Sequence, residues 1–449
     1  MAKDRFYDIH FHAMDLSHAN ITAFISRFFE DEDIFLNKKF IKKQLKKNFP
    51  IWKKMLLPLV PNSLLAKKIL KGIKESKIQD EVENIRNLLS FMESSILYDF
   101  LILDYFLKNK ESIVSENNEF KIGSLEYNKI VICPLIMDFG YKNIHSPEIF
   151  YNIPPQKPIT SQIRDLFKSI HTYYHNEIEV KKQNSISKFN IYHRNTDKKE
   201  KLFEIYPFMG INTKNYTKEE IEEMLTKYFS DFKGSDTLEE RRKKLFDKMG
   251  EFDGDLEQPS YDYSNIFAGI KVYPPLGFEP WPENNEEKRK VELLYKTCVE
   301  KNIPVISHCS TGGFKVTDRA GEFTDPGNQW AKVLQAYPAL KIDFAHFGSG
   351  DKKWRKTIIK SIKKYENVYA DFSCNTHGDE YYKELKQTLI NNPNQKLDDR
   401  ILFGSDFMIN LIWLKSYNEY LKIFIDTSYL NDEIKSKFTN RNSEKFLYG

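Results

Sequence analysis

The chain has 449 residues, 41% of them apolar and 29% charged, proportions ordinary for a globular protein with a sizeable core. Its 68 basic residues face 64 acidic ones, and the resulting net charge of +4 argues against a protein dedicated to nucleic acid or to a membrane surface. The first residues lack the apolar stretch of a secretory signal and no apolar run approaches a membrane span, so a cytoplasmic protein acting on a small molecule is expected.

In chain order, the first β-type apolar run is residues 5–12. Residues 19–126 follow with a helical pattern interrupted by Pro50, Pro58 and Pro61. Within them, 38–54 hold eight lysines among apolar residues, beside acids at 30–33. That mixture reads as a solvated helix face in preference to an anionic-surface binder. Residues 129–138, rich in Ile and Val, form the second run, and 143–200 are again polar and helical. The third run is 202–212 (LFEIYPFMGIN). A helical stretch over 218–249 has Thr217 as its N-cap and Glu220 completing a capping box. Five more runs follow: 267–274 (FAGIKVYP), 303–309 (IPVISHC), 341–347 (KIDFAHF), 367–374 (NVYADFSC) and 401–407 (ILFGSDF). Helical spacing separates the later ones, at 286–301, 328–337 and 353–365; in the first of these Val291, Leu294, Tyr295 and Cys298 share a face.

Short runs that are apolar throughout fit strands buried on both faces, and their alternation with helices marks βαβ units. Eight such units predict an α/β protein, a (β/α)8 TIM barrel, as one domain over 1–449. The insertions 19–126 and 143–200 leave the C-terminal ends of strands 1 and 2. They are therefore predicted to form a helical cap over the mouth of the barrel, and they are candidate interfaces for a homo-oligomer. Cys133, Cys298, Cys309 and Cys374 form no C-x-x-C pair; they read as small buried residues of a reducing compartment.

Catalysis in such a barrel occurs at the C-terminal ends of the strands, so the polar residues there carry the functional argument. Strand 1 ends in Asp8-Ile-His10-Phe-His12. Alternation puts His10 and His12 on one side, Phe11 on the other, and Asp8 in line to support the histidines. Strand 4 carries Lys271, strand 5 His308, strand 6 His346 and strand 8 Asp406. Alone, each histidine reads equally as a hydrogen-bonded structural residue, and Asp406 as an N-cap. Together, on separate strands at one rim, they read as a metal site. The loop 310–319 brings Lys315 and Arg319 as candidate grips for a substrate carboxylate, although ordinary surface charges are an equal reading. Tyr273 is a candidate pocket wall beside Lys271, and His377 a further residue at the mouth. Gly312-Gly313 lacks the Lys-Ser/Thr of a phosphate loop.

The ordered set His10-x-His12, Lys271, His308, His346 and Asp406, in the stretches DIHFHAMD, GIKVYPPLGF, IPVISHCS, FAHFG and LFGSDF, resembles the amidohydrolase superfamily. Locally the resemblance is to its amidohydrolase-related branch, which includes the aminocarboxymuconate-semialdehyde and resorcylate decarboxylases. It covers residues 1–18 and 202–449, where 442–447 resemble the closing helix; 19–126 and 143–200 resemble nothing known to us. The resemblance implies that His10 and His12 hold a divalent ion and that His308 binds that ion or a second one. It implies that Asp406 binds metal and takes a proton from the attacking water. His346 would be a ligand of a second ion, or, with one ion, a free acid/base that polarises the substrate. Zn²⁺ is the expected ion, with Mn²⁺ and Fe²⁺ as alternatives. Lys271 stands where many two-metal relatives carry a carboxylated bridging lysine; in relatives with one ion it would bind an anionic substrate as an ammonium group. It favours a hydrolase of an amide, lactone or related ester. The alternatives are a metal-dependent non-oxidative decarboxylase on the same site, or a binding protein that has lost catalysis, against which the complete ligand set argues.

Overall fold

The computed structural model describes residues 4–18, 88–89, 91–93, 95–109, 113–139, 159–183, 186–194, 197–315, 317–375, 378–393 and 396–449. The lysine run 38–54, most of the insertion 19–126, and His377 lie outside these residues.

Eight parallel strand positions appear where the apolar runs predicted them. They are β1 (Asp4–Phe11), β3 (Leu125–Pro134), the paired short strands β6 (Phe203–Ile205) and β7 (Phe208–Gly210), β8 (Gly269–Val272), β9 (Val305–Ser310), β10 (Ile342–Ser349), β11 (Val368–Asp371) and β12 (Ile401–Leu402). β1 pairs with β3 and β3 with β6, while β7 to β12 pair in sequence order. Isolated parallel bridges join the two sheets at both edges, Phe11 to Phe407 and Leu135 to Phe208. Continuous apolar runs become strands here because both faces are covered: Phe6, Tyr7, Ile9 and Phe11 of β1 are all buried, as are all four residues of β8 and of β11. The third run splits at Tyr206-Pro207, because proline has no N–H to continue a ladder.

The helices α1 (Asp99–Asn109), α2 (Ile159–His175), α3 (Lys218–Phe229), α4 (Leu238–Lys248), α5 (Asn285–Lys301), α6 (Gln329–Ala336) and α7 (Lys352–Lys364) follow the helical spacing. The Thr217–Glu220 capping box forms as read from the sequence. The stretch 218–249, expected as one helix, is two: Thr237 and Glu240 make a second capping box that restarts the chain as α4 after the turn at Gly234.

The insertions depart most from expectation. Residues 143–200 are not helical throughout: after α2 the chain makes an antiparallel hairpin of β4 (Asn176–Gln183) and β5 (Ile186–His193). Its sequence alternates with period two (Ile178, Val180; Phe189, Ile191), a strand signal that the high charge content masked. Likewise the end of 19–126 is strand: β2 (Phe120–Ile122) turns antiparallel onto β3, which starts at Leu125. Among the described residues no helix is long and apolar enough to cross a membrane. The four cysteines are free, three of them buried and Cys374 half-buried.

Candidate metal centre

The C-terminal ends of β1, β9, β10, β11 and β12 converge four imidazoles and two carboxylates. Ring centroids lie 5.3 Å apart for His10 and His12, 4.8 Å for His10 and His346, and 4.6 Å for His308 and His346. His10, His12 and Asp406 can offer three ligand atoms within 4.8 Å of one another, and so can His10, His346 and Asp371. All of these side chains are buried.

Hydrogen bonds set which ring nitrogens face inward. His10 Nδ1 donates to Asp371 Oδ2 at 2.8 Å, and His12 Nδ1 to the carbonyl of Leu135 at 3.0 Å. With the rings neutral, both Nε2 atoms therefore carry lone pairs. These point at the same oxygen, Asp406 Oδ1, at 3.4 Å from His10 and 3.2 Å from His12. His10 Nε2 is buried and has no hydrogen-bond partner among the described residues. On the other side, His346 Nδ1 lies 3.1 Å from the carbonyl of Ser373, and its Nε2 is 3.0 Å from His308 Nδ1. His308 Nε2 meets Ser310 Oγ at 3.0 Å and the carbonyl of Gly312 at 3.2 Å.

Electrostatics keep the donors in ligand form. Burial pushes His10 down to about 3, and the nearby Lys271 adds to the shift. Burial also lowers His308, reinforced by His346, and it lowers His346 itself. Burial alone would raise the Asp406 carboxyl, but His12, His10 and His346 around it hold it below the usual carboxylate range. Asp406 (φ 57°) and His346 (φ 67°) both sit in the left-handed region, rare for residues with a Cβ and costing about 1–3 kcal/mol each. The surroundings hold them: Asp406 N–H donates to the His10 carbonyl at 2.7 Å, and His346 N–H to Asp371 Oδ1 at 3.0 Å.

Lys271 on β8 is buried beside this cluster, and its Nζ has no hydrogen-bond partner among the described residues. Burial pushes it down to about 8, opposed by Asp371, Asp406 and Asp343. Tyr273 stacks against His308 at 4.7 Å between centroids, and its hydroxyl accepts from Phe314 N at 3.2 Å. Gly313 (φ 96°) makes that loop contact possible: a Cβ there would come within 2.6 Å of the Tyr273 hydroxyl and 2.9 Å of His308 Nε2. Arg319 is turned to carboxylates of the chain itself, Glu279 at 3.2 Å and Glu322 at 3.0 Å. Asp8 is fully buried; its carboxylate takes a hydrogen bond from the His10 backbone and accepts from Ser405 N at 2.9 Å and Tyr417 Oη at 3.0 Å. It thereby supports the turn that carries Asp406.

Asp371 escaped the sequence reading. The signal was present, an acid ending the apolar run NVYAD, by the same reasoning that singled out Asp406. A second residue of this kind is Gly404, where a Cβ would stand 2.7 Å from His10 Cβ and 3.0 Å from Ser373 Cβ. Gly404→Ala is expected to displace His10 and to lower zinc affinity by about 10-fold or more, as a misplaced ligand does. Calorimetric zinc titration checks it; unchanged affinity refutes it.

The sequence model of the amidohydrolase family, Amidohydro_2, matches residues 264–448. No curated protein matches the chain. Among solved structures, the chain is similar to a 2,6-dihydroxybenzoate decarboxylase complexed with 2,6-dihydroxybenzoate, at 15% identity and TM-score 0.28 over 40% of this chain and 62% of that one. It is similar to amidohydrolase 2 of Bifidobacterium longum subsp. infantis, at 14% identity and TM-score 0.27 over 40% and 62%. It is also similar to a uronate isomerase of Bacillus halodurans, at 13% identity and TM-score 0.38 over 99% and 92%. The alignments thus span under two thirds of the first two structures, and TM-scores this low carry no argument about function. The match to the amidohydrolase family model rests on sequence and spans residues 264–448, a range that includes Lys271, His308, His346, Asp371 and Asp406.

Proposed function

We propose that this chain is a metal-dependent hydrolase of an amide, lactone or related ester, built as one barrel domain over residues 1–449 with insertions after strands 1 and 2. The parallel pairings and the two edge bridges support a closed eight-stranded barrel, with β6 and β7 sharing one strand position. The observation that carries the functional reading is the meeting of two Nε2 lone pairs and an ionised carboxylate oxygen within 3.2–3.4 Å, with no proton between them when the rings are neutral. Such electron-rich atoms repel one another unless a cation lies among them. Imidazole nitrogens with a carboxylate suit Zn²⁺, Mn²⁺ or Fe²⁺.

In this reading His10, His12 and Asp406 hold one ion, and His308, His346 and Lys271 stand ready for a second. A bound divalent ion lowers the pKa of a water from about 16 to about 7 and polarises a carbonyl. Asp406, ionised and on the inner face, accepts the proton of the attacking water. With one ion alone, His346 is free to polarise the substrate carbonyl, and Tyr273 walls the pocket. Lys271, buried and with no hydrogen-bond partner for Nζ among the described residues, would either lose a proton and add carbon dioxide to the free amine, releasing a second proton and leaving a carbamate able to hold metal, or stay an ammonium and pair with an anionic substrate group. Asp371 fixes His10 and the His346 backbone.

A screen of lactones, cyclic amides and esters in ¹⁸O-labelled water tests the reading. One ¹⁸O is expected in the product acid, with turnover lost to a chelator and restored by zinc. Carbon dioxide release from a carboxylated substrate, with no ¹⁸O uptake, would overturn it in favour of the decarboxylase.

A further inference from the structure

Three parts of the chain meet beside His12: the loop after β1, the chain after β3, and α2 of the second insertion. The first two leave the C-terminal ends of their strands, which is the catalytic face of such a barrel. α2 packs here because Ile163, Leu166, Phe167 and Ile170 recur at helical spacing and are buried on one face. Between the three parts lies a small cavity, and His12 forms part of its wall.

The rest of the described wall is mainly apolar. Met14 comes from the β1 loop, Leu135 and Phe139 from the chain after β3, and Leu166 from α2, and all four are buried. His18, also buried, is the other ionisable side chain of this wall, and it is already paired. A carboxylate only accepts, so His18 Nε2 donates to Asp165 Oδ2, at 3.0 Å. A substrate carboxylate placed here would lose its water with no unpaired cation opposite it among the described residues, which is costly. An apolar group gains instead, by about 0.8 kcal/mol for each buried carbon, or about 4-fold in affinity. The space is narrow, with room at its closed end for a group of about water or methyl size.

From this geometry we infer that the cavity is a specificity subsite for a short, uncharged alkyl or acyl substituent of the substrate, about one or two carbons long. The inference rests on the reading of His10, His12 and Asp406 as the ion-holding set, which puts the reacting bond next to this opening. Met14 and Leu166 set the length that is accepted. The insertion that carries α2 thereby takes part in substrate choice.

Hydroxamates, whose head group chelates zinc, test this by binding alone. The zinc-loaded full chain is titrated calorimetrically with formo-, aceto-, propiono- and hexanohydroxamate and with succinic monohydroxamate. Affinity is expected to rise by about 4-fold per carbon from formo- to propionohydroxamate and to rise no further with hexanohydroxamate. Succinic monohydroxamate, with its carboxylate, is expected to bind at least about 10-fold more weakly than propionohydroxamate. Leu166→Ala enlarges the cavity; hexanohydroxamate should then bind tighter than propionohydroxamate, with formohydroxamate unchanged. Should Leu166→Ala fail to fold, Met14→Ala carries the same comparison. Equal affinities across the alkyl series, succinic monohydroxamate binding as tightly as propionohydroxamate, or an order of preference unchanged in the variant would overturn the subsite while leaving the metal centre standing. Binding of no hydroxamate at all would bring down the metal-centre reading, and the subsite with it.

Discussion

His12→Ala is expected to abolish most of the zinc-dependent stabilisation of the barrel centre. A ligand that binds the native state alone stabilises it by RT ln(1 + [L]/Kd), about 2.7 kcal/mol at 100 times Kd. His12 Nε2 faces Asp406 Oδ1 at 3.2 Å, and its Nδ1 is already committed to the Leu135 carbonyl. No other side chain of this half of the cluster replaces it. Removing such a ligand should weaken zinc by more than the roughly 10–100-fold lost with a mere supporting partner. At the same zinc concentration, a 100-fold loss leaves only about 0.4 kcal/mol of stabilisation by the same relation. Thermal or urea melts with and without zinc read the difference. A zinc-induced shift unchanged from that of the wild type would refute the assignment of His10, His12 and Asp406 as the metal-holding set.

The parts of this site legible in the sequence were those where one local rule decides. A polar residue at the end of a strand apolar on both faces marks a candidate for function, and several such ends in one chain reinforce one another, so His10, His12, Lys271, His308, His346 and Asp406 stood out. Asp371 obeyed the same rule and was passed over beside the more conspicuous histidines. The partners of Asp8 were not legible, because Ser405 and Tyr417 come from far along the chain. Nor was the engagement of Arg319, whose partner Glu279 comes from a different loop and is also bound by Lys214 at 3.0 Å. The hairpin 176–193 was read as helix because charge content was weighed above its period of two. Where tertiary contacts choose between alternatives, local pattern does not suffice.

Asp371→Ala is expected to be among the most destabilising single substitutions in this protein, as well as to impair metal binding. Asp371 Oδ1 accepts from His346 N at 3.0 Å, from Ser373 N at 2.9 Å and from the Ser373 hydroxyl, while Oδ2 accepts from His10 Nδ1 at 2.8 Å. The carboxylate is fully buried, and its pKa is well depressed. Burial works against that depression; His10 and His346 outweigh it. Alanine would leave the N–H groups of His346, Ser373 and His10 buried without an acceptor. At about 1–3 kcal/mol for each, the loss before relaxation is about 3–9 kcal/mol, comparable with the whole stability of many domains. His346 also needs its N–H held to stay at φ 67°, so relaxation would move a site imidazole. Asp371→Asn separates the two effects. With the amide oxygen in the Oδ1 place, His346 N and Ser373 keep their acceptor, so much of the stability should return, but the amide nitrogen then faces His10 Nδ1 as a donor, His10 loses its acceptor there, and zinc affinity should remain lowered by about 10–100-fold. Urea denaturation of both variants, paired with zinc titration, measures this. A loss below about 1 kcal/mol for Asp371→Ala would show that water takes over these donors and that Asp371 does not hold the site together.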